Sequence, residues 1–298
     1  MTAPALSVVV PSVNGWGELE GCLAALSAEG AGVPLEILVP DRLGEGLRRR
    51  VRERFPAVRL LPAESGTTIP DLRALAFAEA TAPAVAVIED HVRVPPGWAR
   101  ALLGALDRGE DVAGGAVVNA ATETRVDWAA FLCEYSQLLP PLPAGEVAGL
   151  AGNNVVYRRS VLARAEAAWR AGRWEDHLHA DLRRLGVSLH QHPEIVVGHR
   201  MRYTVGEYLS QRFLYARAYA GLRLADAGRF KRLLFGALAA GLPPVLFLRI
   251  VRNVVTKGGH GRALWRSWPL ILVFTSAWGL GEVTGAWFGP GDALRRVR

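Results

Sequence analysis

Ala84-Val-Ala-Val-Ile-Glu-Asp-His91 sets a run of small and β-branched apolar residues directly before two carboxylates and an imidazole. A short apolar run without polar alternation reads as a strand buried on both faces, the habit of parallel sheets covered by helices. In such sheets ligands bind beyond the carboxyl ends of the strands. Glu89-Asp90-His91 sits at such an end, so one stretch points both to a fold class and to a site.

The flanking sequence repeats the pattern. Leu6-Ser-Val-Val-Val-Pro11, Leu35-Glu-Ile-Leu-Val-Pro40 and Val58-Arg-Leu-Leu-Pro62 read as further strands, with helices expected near 16–28 and 47–55. Thr68-Ile-Pro-Asp71 starts another helix, with Thr68 as its cap and Pro70 in the first turn, where a missing N–H costs nothing. Strands alternating with helices at this spacing imply βαβ units and an α/β fold with helices on both faces of a mixed, mainly parallel sheet. Polar residues at Ser12-Val-Asn14, Asp41 and Glu89-Asp90-His91 all fall at strand ends, although any one such cluster is ordinary turn chemistry. Beyond residue 110 the spacing predicts a glycine-interrupted strand over 112–118 and an aromatic-bearing helix over 128–138. A loop over 140–145, a turn into a strand over 152–157 and a helix over 159–171 follow. Trp174-Glu-Asp176 opens the next helix, which Gly186 stops.

The chain has 298 residues, 50% of them hydrophobic, which is ample for a core and excludes a disordered chain. Its two cysteines, Cys22 and Cys133, exclude a disulfide framework or a four-cysteine zinc site and suit a reducing compartment. A net charge of +7 and a pI near 10.0 suggest nucleic acid at first sight. The distribution argues otherwise. The first 200 residues carry 20 basic and 24 acidic side chains, whereas the last 98 carry 15 and 4. The positive excess lies beside the longest apolar runs, a pairing that suits an anionic membrane surface and no nucleic acid. The N-terminus lacks a basic n-region and a long apolar core, so the body is expected to remain cytoplasmic.

Glu89 and His91, two residues apart, would point to one side of an extended backbone and share a divalent ion, Mn²⁺ or Mg²⁺, on a diphosphate. The alternative is that they cap the helix beginning near Pro96-Gly97. Glu175 and Asp176 either complement a helix dipole or supply a general base for an acceptor hydroxyl. Five of the seven histidines lie between His177 and His199. His190 and His192 share one strand face, and His199 alone ends an apolar strand.

The order of these features resembles glycosyltransferase family 2, of the membrane-associated bacterial type, built on the nucleotide-sugar-binding GT-A fold. Ser7-Val-Val-Val-Pro-Ser-Val-Asn14 is similar to its opening strand and loop, which implies donor contacts from Pro11, Ser12 and Asn14. By the same resemblance Asp41 recognises the nucleobase, while Arg73 and Asp90 lie near the diphosphate. Val87-Ile-Glu-Asp-His91 followed by Val94-Pro-Pro-Gly-Trp98 resembles the metal-binding acidic motif, with His91 where the family commonly has a carboxylate. Related GT-A enzymes with a histidine there add another after a later strand, which implies a metal set of Glu89, His91 and His199. Trp98, Asn153 and Asn154 are implied on the acceptor side. Trp174-Glu-Asp176 resembles the motif whose aspartate is the catalytic base, giving that role to Asp176 with Glu175 beside it.

The C-terminal third carries an apolar run over 233–248 broken by Pro243-Pro244, and a second over 268–288 with Glu282 inside it. Only the second reaches the length needed to span a bilayer. A two-span hairpin would export five positive charges, against the positive-inside rule, so helices lying in or partly entering the cytoplasmic leaflet are expected. A buried helical hairpin is the alternative. The expected division is a catalytic domain over 1–225 and a basic, hydrophobic helical region over 226–298. The expected activity moves a sugar from a nucleoside-diphosphate sugar, with UDP-sugars favoured, to a lipid-linked or glycan acceptor of the cell envelope at the cytoplasmic membrane face. A degenerate, non-catalytic nucleotide- or lipid-binding scaffold is the competing class, and a nucleotidyltransferase a third.

Overall fold

The computed structural model describes residues 3–297. In chain order the first elements are β1 (Leu6–Val9), α1 (Trp16–Glu29), β2 (Leu35–Asp41), α2 (Glu45–Arg54), β3 (Arg59–Pro62), α3 (Ile69–Glu79) and β4 (Ala84–Val87). Next come β5 (Val92–Arg93), α4 (Trp98–Asp107), β6 (Val112–Asn119), α5 (Arg125–Tyr135), β7 (Gly145–Val147) and β8 (Val155–Arg158). Then follow α6 (Arg159–Arg164), α7 (Glu166–Arg170), α8 (Glu175–Arg184), β9 (Leu189–His199) and α9 (Val205–Arg223). The chain closes with α10 (Arg229–Ala239), α11 (Leu242–Lys257), α12 (Gly261–Phe288) and α13 (Ala293–Arg296).

Two compact units emerge, one of Met1–Ala120 with Leu138–Arg200, the other of Ala121–Gln137 with Met201–Arg298. The expected boundary at 225 thus differs from the observed grouping, which puts α5 and α9 with the later helices.

The first unit is the α/β body. Its sheet runs β3-β2-β1-β4-β8-β6-β9-β5, with β7 added beside β9. The first four strands along this order are parallel, and β8 enters antiparallel to β4. β4 is buried at every position because it lies between β1 and β8, which accounts for its unbroken apolar run. Thr68 caps α3 as expected, its hydroxyl accepting from Asp71 N. The helix expected over 159–171 is two short helices that meet at Ala165. β9 is longer than its apolar end suggested and starts at Leu189, so His190, His192 and His199 belong to one strand. A register shift between Gly115 and Ala116 lets β6 follow it. A Cβ at Gly115 would collide with the Ile195 carbonyl, which restricts that position to glycine.

The second unit is helical. Capping boxes at Thr124 and Thr204 start α5 and α9. Gly281 and Gly285 remove side chains where α12 meets the α9 backbone at Phe213 and Arg217, so the two helices approach closely and α9 joins this unit. Tyr208 is fully buried, donates to Ala130 O at 2.9 Å and stacks edge-on against Phe274. Glu282 is buried and paired with Arg223 at 2.6 Å. α10 and α11 meet at a 53° bend near the Pro-Pro pair. Among the described residues α12 is the one helix long and apolar enough to cross a membrane, and half of its apolar window is buried within the protein. Phe230, Trp265 and Phe288 stand 80%, 76% and 74% exposed.

Candidate active site

The site grows from the end of β4. Val92 N–H donates to the Glu89 carbonyl at 3.0 Å and closes a turn, so the triplet is not extended as its spacing suggested. β5 then pairs antiparallel with β9, Val92 opposite His199, and Arg200 N–H donates to His91 O. That register, set by residues far apart in sequence, brings His199 against His91.

Three ligand atoms of Glu89, His91 and His199 lie within 4.8 Å of one another. His91 Nε2 is 2.8 Å from His199 Nε2 and 3.3 Å from Glu89 Oε2. On its other side His91 Nδ1 is 3.2 Å from Asp90 Oδ1. Burial disfavours charge on Glu89, yet the His91 hydrogen bond and nearby positive charge hold it well below the usual carboxylate range. Burial likewise opposes protonation of His91, but Asp90 and Glu89 outweigh it and push its pKa up to about 10. Burial and the neighbouring His91 charge push His199 down to about 3. These groups fit a divalent ion: two imidazole nitrogens and a carboxylate converge, and a carboxylate behind His91 orients its ring, the usual outer-shell support of a metal-binding histidine.

Asp90 has no exposed surface, and its oxygens accept from Val13 N, Asn14 N and Asn14 Nδ2, each at 2.8 Å. It shapes the loop after β1, which engages both of its oxygens. Asp41 is similar. It is fully buried, accepts from Leu43 N at 3.0 Å and Gly44 N at 3.1 Å, and so shapes the turn into α2. Pro11 and Ser12 are buried beside it, with Ser12 N–H donating to Pro40 O. Asn14 is half-buried, and its Nδ2 also lies 3.2 Å from His91 Nδ1, so the opening loop touches the Glu89, His91 and His199 cluster.

Trp98 and Asn154 do not form an acceptor surface. Trp98 Nε1 donates to Asn154 Oδ1 at 3.0 Å, and Asn154 Nδ2 reaches Ala116 O and Ile195 O at 2.9 Å. Both are buried and tie α4 to the sheet, because amide groups taken from water need such partners. Asn153 does reach the site, donating to Glu89 Oε2 at 3.0 Å.

Arg73 on α3 joins the two acidic motifs. Its buried guanidinium holds Glu175 Oε2 at 2.5 Å, lies 4.0 Å from Glu89 Oε1, and donates to Gly152 O. A Cβ at Gly152 would strike the Glu175 side chain, so this glycine keeps the approach open. Asp176 instead faces outward, half exposed, and accepts from His177 N and Nδ1, both at 2.9 Å.

His179 and Tyr157 escaped sequence reasoning. Behind Glu175, His179 Nε2 lies 2.7 Å from Tyr157 Oη, and Leu150 N–H donates to Nδ1. Burial pushes this histidine down to about 4, so it is neutral. The usable signal was its place four residues after Glu175, one turn along the same helix face. His190 and His192 belong elsewhere, both facing Glu110.

The fold and sequence agree with known proteins. A mannosyltransferase, PcManGT from Pyrobaculum calidifontis, solved with GDP-Man and Mn²⁺, superimposes with a TM-score of 0.56 at 17% identity, covering 94% of this chain and 87% of that one. Residues 1–349 of TarS from S. aureus, solved with UDP-GlcNAc, give 0.48 at 16% identity over 71% of this chain and 65% of that one. No curated protein sequence matches the chain. The model of the family named Glycosyl transferase family 2 matches residues 7–165, more than half of the chain, and the protein belongs to that family.

Proposed function

We propose that this glycosyltransferase moves a sugar from a nucleoside-diphosphate donor to a lipid-linked or glycan acceptor at the cytoplasmic membrane face, with inversion at the anomeric carbon. The observation that carries the reading is Arg73, whose guanidinium touches the carboxylates of both acidic motifs. A buried cation between them suits a site that gathers a diphosphate on one side and an acceptor on the other.

Glu89, His91 and His199 would hold Mn²⁺ or Mg²⁺, whose positive charge offsets that of the departing diphosphate. Asn153 fixes the Glu89 carboxylate, and Asp90 fixes both His91 and the loop of Pro11, Ser12 and Asn14. Asp176, at the open start of α8, takes the proton of the acceptor hydroxyl, while Glu175 holds Arg73 in place. Direct attack on the anomeric carbon then inverts its configuration. The exposed apolar side chains and basic residues of the helical unit support membrane attachment.

The deciding experiment measures nucleoside-diphosphate release by the full chain from a panel of UDP- and GDP-sugars, with Mn²⁺ and bilayer lipid present. Release that disappears in Glu89→Gln is expected. Donor binding without any turnover would overturn the reading in favour of a binding scaffold, and pyrophosphate release would indicate nucleotidyl transfer.

A further inference from the structure

The helical unit contains a polar cavity, of about 370 Å³, whose lining includes Arg125, Trp128, His260, Arg262 and Arg266. We propose that this cavity binds the phosphate of an anionic membrane lipid headgroup. Arg125 opens α5, and Arg262 and Arg266 stand one turn apart on α12, so their guanidinium groups share one helix face and one opening. Among the described residues none of these three arginines makes an ion pair, and the carboxylate in the lining, Glu123, is engaged by Arg202. The cavity therefore sets three guanidinium groups against one carboxylate that another arginine already pairs.

Two further features favour a phosphate. α12 starts at His260 with no side-chain cap, so its first N–H groups add donors and positive potential at the same end. Guanidinium forks match phosphate oxygens in pairs, which lysine cannot reproduce. The wall is firm: the Trp128 ring lies 5.5 Å from that of His260 and packs edge-on against Phe131.

The neighbouring surface points to a lipid as the source. Trp265 and Trp268 stand 76% and 43% exposed on the helix stripe adjoining Arg262 and Arg266, and Leu272 continues it one turn on. A free phosphate has no use for these side chains, whereas an amphiphile would set its headgroup in the cavity and its chains along them. The proposal rests on the membrane reading above and is independent of the transfer chemistry, because its test contains no sugar donor.

The test measures partitioning of the full chain onto vesicles of phosphatidylcholine with about one-quarter phosphatidylglycerol, and onto phosphatidylcholine alone. Changing Arg125, Arg262 and Arg266 together to lysine keeps the charge and removes the forks. Partitioning onto the anionic vesicles is expected to fall about tenfold. The control pair Arg249→Lys and Arg252→Lys, equally exposed on α11, is expected to stay within about twofold of the parent, with thermal unfolding showing all three chains folded. Retained binding by the triple variant, or an equal loss in the control, overturns the site. If millimolar inorganic phosphate alone binds the parent chain and not the triple variant, read by titration calorimetry, and does not compete with vesicles, the lipid source is overturned. Failure of the parent chain to bind any vesicle removes the membrane reading as well, without touching the transferase reading.

Discussion

The loop after β4 and the first turn of α8 each carry two adjacent carboxylates, and the two places divide them differently. In the loop, Asp90 turns inward and commits its oxygens to Val13 and Asn14, while Glu89 meets His91, Asn153 and Arg73. At the helix, Glu175 turns inward to Arg73 and Asp176 is left half exposed. The backbone explains the contrast. A tight turn closed by Val92 sends neighbouring side chains to opposite sides, and helical residues splay by about 100°. The loop thus gathers Glu89 with two buried imidazoles, and the helix leaves one carboxylate open to solvent.

The largest expected effect falls on the loop. Glu89→Gln or His91→Ala should lower donor turnover about a thousandfold, since they remove groups proposed to hold the charge-stabilising ion. Excess Mn²⁺ should restore part of the His91→Ala loss and little of the Glu89→Gln loss. The helix should respond in a different parameter. Asp176→Asn should lower kcat about a hundredfold with KM nearly unchanged, as expected for a base used only in the transition state. Glu175→Gln should cost about tenfold and raise donor KM, because it frees the buried Arg73 from its partner. If Glu175→Gln proves the more severe, the assignment within this pair is reversed.

The contrast also shows what was legible in the sequence. β4 and its following triplet were readable because a doubly buried strand has an unmistakable composition, and the set of Glu89, His91 and His199 followed from the family pattern. The turn that orients the triplet was not readable, since it depends on β5 pairing with β9 across more than a hundred residues. Trp98 and Asn154 look like polar binding residues in one dimension. Only the fold shows them bonded to each other and to two buried carbonyls. The turn that Asp41 caps was hidden for the same reason, since a carboxylate after a strand serves its own turn as readily as a ligand. The glycines of α12 gave no warning that α9 would join the helical unit, because close approach is a property of the pair of helices.

The next effect is on stability. Asp90→Asn replaces an acceptor facing three N–H groups with an amide that can satisfy fewer of them. It should cost about 2–3 kcal/mol, by the usual price of breaking charge-assisted buried bonds, and lower the melting temperature by roughly 5–10 °C. Glu89→Gln, beside it, loses its pairing with His91 and Arg73, so its melting temperature should fall as well, but its activity should fall far further than that of Asp90→Asn. Equal loss of activity by the two would erase the distinction between scaffold and site drawn above.

The smallest effect tests the floor beneath Glu175. His179 is buried and neutral, its pKa pushed down to about 4, whereas an unfolded histidine titrates near 6.5. Below pH 6.5 the unfolded chain therefore binds more protons at this position than the folded one. Stability must fall as the pH is lowered through the window from about 6.5 to about 4, and this residue contributes no further change below it. Between pH 7 and pH 5 the loss from His179 alone is about 2 kcal/mol at 1.4 kcal/mol per pH unit, allowing for incomplete titration at both ends. His179→Gln retains a donor for Tyr157 Oη and cannot be protonated, so its stability should decline less over the same interval. Other titrating groups are common to both chains and cancel in the difference between their unfolding curves. A difference that does not change with pH would mean that water or motion reaches His179, and that Glu175 stands on a softer support than the buried geometry implies.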